Sequence, residues 1–199
     1  LNVAIGQSAI STGITTGHKN VAIGYYAAAA LTSGTNNTAL GVGALASATT
    51  NIANVAIGAD ALASTVDDGD YNVAFGLNAL DSSLLADRVT MIGTAAGRGV
   101  LTAAAIGSVG VGYAALNQNT EGVGNVAVGY EALSANINSD FSTAIGHQAL
   151  KDQTGVNGTV ANTAVGYYAG TNITTGIKNT ILGTYAGYTS LLVDNTVLL

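Results

Sequence analysis

The chain contains no cysteine, no proline and no tryptophan, and only five of its 199 residues are lysine or arginine. Without cysteine there is no disulfide framework and no thiolate metal site. The five basic residues (Lys19, Arg88, Arg98, Lys151, Lys178) are scattered, and the net charge is −6. Nucleic acid is therefore not expected as a partner, because phosphates need clustered Lys and Arg. No apolar run reaches the roughly 18 residues of a transmembrane helix, so membrane insertion is not expected, and no basic-then-apolar leader opens the chain. Charged residues make up 8% of the chain and apolar ones 48%, against about 25% charged in ordinary domains. So little polar surface cannot cover a free-standing globule. Copies of the same chain are the simplest cover.

What is present is glycine, 27 residues of it, and a repeat. An anchor glycine recurs at Gly6, Gly24, Gly41, Gly58, Gly76, Gly93, Gly112, Gly129, Gly146, Gly166 and Gly183, at spacings of 17 to 20 residues. The residue before it is always large and apolar, and the residue three before it is always Val or Thr. Four before it, eight of eleven residues are Asn, and three after it all eleven are Ala. Around Ile106-Gly107 the register is ambiguous; anchoring on Gly112 puts Ala115 and Leu116 in place. After Gly24, Leu31 arrives late.

Such a unit predicts an all-β parallel solenoid of about eleven turns, with residues 1–199 forming one array. The Val/Thr and the large residue lie two apart and share one face of a short strand. That face is expected to form a core ladder of Val3, Ile5, Val21, Ile23, Leu40, Val55, Ile57, Val73, Phe75, Ile92, Val126, Val128, Ile145, Val165 and Leu182. Glycine ends each strand by permitting a bend, and Thr-Gly loops such as Thr15-Thr16-Gly17 complete the turn. Stacked turns put each Asn on the next as a ladder whose amides cap the turn. Ala between the two core positions, as at Ala4, Ala22 and Ala56, is expected on the outer face, buried against a neighbouring chain. Regular glycines and Asn-Val/Thr pairs oppose helical repeats.

The Asn-Val-Ala-Ile-Gly units at Asn2, Asn20 and Asn54 resemble the head repeat of trimeric autotransporter adhesins. The longer units Asn162-Thr-Ala-Val-Gly-Tyr-Tyr-Ala-Gly170 and Asn179-Thr-Ile-Leu-Gly-Thr-Tyr-Ala-Gly187 are similar to repeats of bacteriophage tail fibres. The resemblance implies a left-handed β-roll, assembled as a homotrimeric extracellular fibre on a virion or bacterial surface. The turns are longer than those common in adhesin heads, which favours the phage-fibre branch. A repeat cut at both ends suggests a piece of a longer fibre.

Little else carries chemistry, and neither an enzyme nor a cofactor is expected. His147 sits just after an anchor glycine, in a slot otherwise held by Tyr25, Tyr113, Tyr130 and Tyr167, and reads as a surface ring. His18, in a Thr-Gly-His-Lys loop, reads likewise. Asp67, Asp68 and Asp70 could offer oxygens to Ca²⁺, but match no calcium motif, and a solvated loop is expected. No metal site is assigned. The four tyrosines, with Tyr26, Tyr168 and Tyr185 beside them, would make a partial stripe able to contact a glycan, or to pack between chains or turns. Partners expected are further copies of the chain and a cell-surface glycan or protein receptor. A hexapeptide acyltransferase helix fails, because the six-residue series from Ile5 runs Ser11, Gly17, Ile23. An ice-binding solenoid would need a flat Thr-x-Thr array, and Thr here clusters in loops of uneven length; an ice-binding or single-chain scaffold solenoid is the alternative of another class.

Overall fold

A computed structural model describes residues 1–12, 16–64, 69–82, 86–99, 106–155, 157–189 and 194–199. All regular structure among them is β. The first eight strands are β1 Val3–Ile5, β2 Val21–Ile23, β3 Thr38–Leu40, β4 Val55–Ile57, β5 Val73–Phe75, β6 Thr90–Ile92, β7 Val109–Val111 and β8 Val126–Val128. They are followed by β9 Ser139–Asp140, β10 Thr143–Ile145, β11 Gly158–Thr159, β12 Thr163–Val165, β13 Thr180–Leu182 and β14 Val197–Leu198. Twelve of these form one parallel sheet in chain order, with β9 and β11 pairing separately. Register follows the repeat: Val3 lies opposite Val21, Val21 opposite Thr38, and Thr180 opposite Val197. Strand β7 sits between β6 and β8, which makes Gly112 the anchor of its turn. The chain is a parallel β-solenoid.

The anchor glycines are required twice over. Their φ angles lie between +124° and +143°, a region L-residues rarely enter. A Cβ on Gly58 would also stand 2.5 Å from the carbonyl oxygen of Gly76 and 2.6 Å from its carbon. Past the glycine the backbone makes two tight bends. Ala44 N–H donates to Gly41 O and Ala46 N–H to Gly43 O. The third residue of each bend is left-handed, as at Asp60 (53°) and Leu62 (51°), which marks type II turns. Each such L-residue costs about 1–2 kcal/mol. Hydrogen bonds between turns hold them there: Asp60 N–H donates to Val42 O at 2.8 Å and Leu62 N–H to Ala79 O at 3.0 Å.

The structure reverses the expected faces of the sheet. The middle alanines, Ala22, Ala39, Ala56, Ala74, Ala127, Ala144 and Ala164, are fully buried. They pack in one core with the bend alanines and with Leu45, Leu62, Leu80, Leu116, Leu133 and Leu150. None of the expected core-ladder residues is buried within the chain. Val3, Ile5, Leu40, Phe75, Ile92, Val128, Ile145 and Leu182 are exposed, and Val21, Ile23, Val55, Ile57, Val73, Val126 and Val165 are half-buried. The physical reason is width. The roll is narrow, and where the facing bend inserts a leucine, as in six of the eleven turns, only a methyl group fits between the walls.

Where the strand carries something larger, its neighbours shrink. Met91 replaces a middle alanine, and a Cβ on Gly110 would meet its Sδ at 2.5 Å, one on Gly97 its Cγ at 2.8 Å. Ile181 likewise fills space beside Gly170, whose Cβ would lie 2.7 Å from Ile181 Cδ1. In the turn of Gly24, Ala28 takes the leucine slot and the late Leu31 fills the volume, fully buried.

The asparagine ladder runs inside the corner before each strand. Asn37 N–H donates to Asn20 Oδ1 at 2.9 Å, and Asn54 N–H to Asn37 Oδ1 at 3.0 Å. Ladder amides also reach loop carbonyls, such as Asn20 Nδ2 to Gly34 O at 2.8 Å. At Ser142 the side chain is too short to continue. Buried Gln153 bridges the gap, donating to Ser142 Oγ at 3.0 Å and accepting from Asn162 Nδ2 at 2.8 Å. Near the end Thr196, not Asn195, takes the ladder position, accepting no register slip: its N–H donates to Asn179 Oδ1 at 3.0 Å.

Candidate functional site: an aromatic ladder

The residue after each anchor glycine opens the type II bend and stands at a corner of the solenoid, facing solvent. Because turns stack in register, this slot repeats about every 4.8 Å along the rod. Three of the four expected tyrosines come together there, through the histidine between them. Tyr113 stacks on Tyr130 with centroids 5.1 Å apart and planes at 15°, and Tyr130 stacks on His147 at 4.9 Å and 9°. His147 contacts Tyr167 at 5.2 Å and 36°. Tyr25 stands apart, touching Tyr26 edge-on at 4.4 Å. Val42, Ala59, Leu77 and Thr94 hold the slot in the intervening turns.

Beyond Tyr167 the ladder widens into a cluster. Tyr168 stacks on Tyr185 at 5.5 Å and 11°. Tyr188 meets both edge-on, at 6.0 and 5.4 Å. Tyr188 was not legible as a member, since it lies outside the tyrosine slot; its position five after Gly183 matches Lys151, five after Gly146.

A polar group adjoins the rings. Glu131 and Gln148 occupy the slot two after the anchor, which Tyr168 and Tyr185 hold in later turns. Glu131 accepts from Lys151 Nζ at 2.8 Å and from Gln148 Nε2 at 2.7 Å. The hydrogen bond from Lys151 holds the Glu131 carboxyl below its ordinary range, and the bond to Glu131 raises the Lys151 ammonium in turn. The Glu131 charge raises the Tyr130 phenol, and a hydrogen bond with Tyr167 raises that of Tyr185. The arrangement can hold a ligand by contact and hydrogen bonding.

The remaining sequence candidates are placed as follows. His18 is exposed, its Nδ1 3.5 Å from Thr16 O. Asp70 Oδ1 accepts from Ile52 N–H at 2.6 Å, a bond between turns, while Asp67 and Asp68 lie outside the described residues. Among the described residues no three His, Cys, Asp or Glu side chains converge as a metal site, and no helix is long and apolar enough to cross a membrane. An open groove of about 430 Å³ is lined by Arg98, Gly99, Asn117, Gln118, Thr120 and Ile137. Its guanidinium is bridged to Asp81 at 3.3 Å.

No protein-family model, curated protein or solved structure matches this chain. The geometry and the repeat therefore carry the functional reading alone.

Proposed function

We propose that the chain is a shaft or adhesive segment of a homotrimeric extracellular fibre, of the phage tail-fibre kind, that supports attachment to a host surface. The observation that supports it is the outer face of the main sheet. Its first row is Val or Thr throughout and its second is Ile, Leu, Val or Phe, with no charged residue in either. Twelve strands make a strip about 50 Å long and 7 Å wide, flanked by exposed Val42, Leu77 and the tyrosines. A contiguous apolar strip of that size is the kind of surface that serves association. Every copy carries the same strip, so further copies can cover it along the rod. Three chains rather than two follow from the resemblance of the Asn-Val-Ala-Ile-Gly units, and those short units equally favour a second reading, the head of a bacterial trimeric surface adhesin.

The test is to place a charge on the strip. Ile145→Glu should leave the circular dichroism of the solenoid intact and drive the particle to single chains in sedimentation velocity. An assembly unmoved by Ile145→Glu and Val126→Glu alike would refute association through this face.

A further inference from the structure

The orientation of the rings divides the aromatic ladder into two kinds. In the stack of Tyr113, Tyr130 and His147, with planes at 15° and 9°, Tyr130 has a ring on both faces and Tyr113 has one on the face toward Tyr130. Tyr130 thus offers solvent only its edge. Tyr167 and Tyr188 are turned across the stack. Tyr167 stands at 80° to Tyr168 and 90° to Tyr185, and Tyr188 at 75° and 85° to the same pair. Because Tyr168 and Tyr185 are themselves parallel to within 11°, both crosswise rings stand edge-to-face with that one pair. Tyr167 is 43% exposed and Tyr188 40%. A pyranose binds an aromatic side chain through the ring face, with its C–H groups against the π cloud and its hydroxyls left for polar partners. The crosswise rings, grouped on consecutive turns, are placed to receive one.

We propose that Tyr167 and Tyr188, braced by Tyr168 and Tyr185, form a binding site for a neutral oligosaccharide running along the rod, with Glu131 and Gln148 as its hydrogen-bonding flank. The polar residues lie in the same slot as Tyr168 and Tyr185, on the two preceding turns. Glu131 takes bonds from Lys151, Gln148 and Tyr130, and a carboxylate has about four acceptor sites, so it can accept from a sugar hydroxyl as well. Neutral sugars are specified because the adjoining cation, Lys151, is already bridged to Glu131. The site narrows the tyrosine stripe: Tyr130 is excluded from sugar stacking, and Tyr25 and Tyr113 lie outside the cluster.

The proposal rests on the chain being displayed at a surface, and its test is separable from that reading. The intact protein is applied to an array of bacterial and mammalian glycans, with its molar mass measured in parallel. Binding to neutral oligosaccharides is expected, reduced at least tenfold in Tyr167→Ala/Tyr188→Ala and in Tyr188→Leu alone, and unchanged in Tyr113→Ala and Tyr71→Ala. Circular dichroism checks that each variant keeps the fold. No glycan bound, binding confined to acidic glycans, or equal loss in Tyr113→Ala would overturn the site. A single-chain particle that still binds neutral glycans would retire the fibre and leave the site standing.

Discussion

Replacing one anchor glycine by alanine should damage this fold far more than the same change at a glycine off the ladder. At Gly58 the added Cβ would lie 2.5 Å from Gly76 O, at a φ of +129°. Gly76 cannot retreat freely, because its own N–H donates to Ile57 O at 2.8 Å. The disfavoured backbone region costs about 1–3 kcal/mol. Overpacking adds about 1–3 kcal/mol, and a strained ladder bond about 1 kcal/mol. Gly58→Ala should thus cost roughly 3–7 kcal/mol. Gly107 is the control: its φ is +69° and a Cβ there meets nothing within 4 Å, so Gly107→Ala should cost about 1–2 kcal/mol. Solenoids open locally, so hydrogen exchange of the turns around Gly58, at one fixed protein concentration, is the assay, with urea unfolding beside it. Exchange in those turns should accelerate strongly in Gly58→Ala and slightly at most in Gly107→Ala. Equal behaviour of the two variants would refute the close stacking of the glycines.

Other expectations concern the interior, the ladder bridge and one ion pair. Ala56→Asp should unravel neighbouring turns, whereas Ile57→Asp, one residue on, should keep the fold and weaken association; thermal melts and sedimentation together read this, and the reverse outcome would restore the large residues to the interior. Leu133→Ala should cost about 2–5 kcal/mol as a buried truncation, read by urea unfolding. Gln153→Ala leaves Ser142 and Asn162 without their bridge and should cost about 2–4 kcal/mol, with Ser142→Asn in the same background restoring part of it; no rescue would mean that Gln153 does not stand in for the missing ladder residue. Glu131 titrates below its ordinary range because Lys151 bonds to it. Its stabilisation is therefore present above the unfolded carboxylate pKa and lost as pH falls through the lower folded value. For this half-exposed pair it should amount to about 0.2–1 kcal/mol, fading with salt, and Glu131→Gln should abolish that acid dependence in pH-resolved melts.

The period, the strand positions and the asparagine ladder were legible because each depends on local chemistry. Glycine marks a backbone that no other residue enters easily, and Asn marks a side chain that reaches the next turn. Which face of the strand turns inward was not legible. A Val-Ala-Ile triplet ranks Val and Ile as core by hydrophobicity, and the deciding quantity, the width of the roll, belongs to the stacked turns. The exchange of volume between Met91, Gly97 and Gly110 is hidden for the same reason. Gln153 could not be found from the repeat, since it sits nine residues before Asn162 in the longest turn. In the candidate site, Tyr113, Tyr130 and Tyr167 were found by slot, but slot says nothing of ring orientation. Tyr25 shares the slot and is separated from Tyr113 by four turns that carry no aromatic ring in it.

The central claim is that the apolar outer strip of this solenoid is covered by copies of the same chain. It is tested most directly by the absolute molar mass of the purified protein in light scattering, with a denatured control. Three times the 19.5 kDa of one chain is the result expected of a homotrimeric fibre segment. A stable particle of one chain, with the strip in open water, would contradict it.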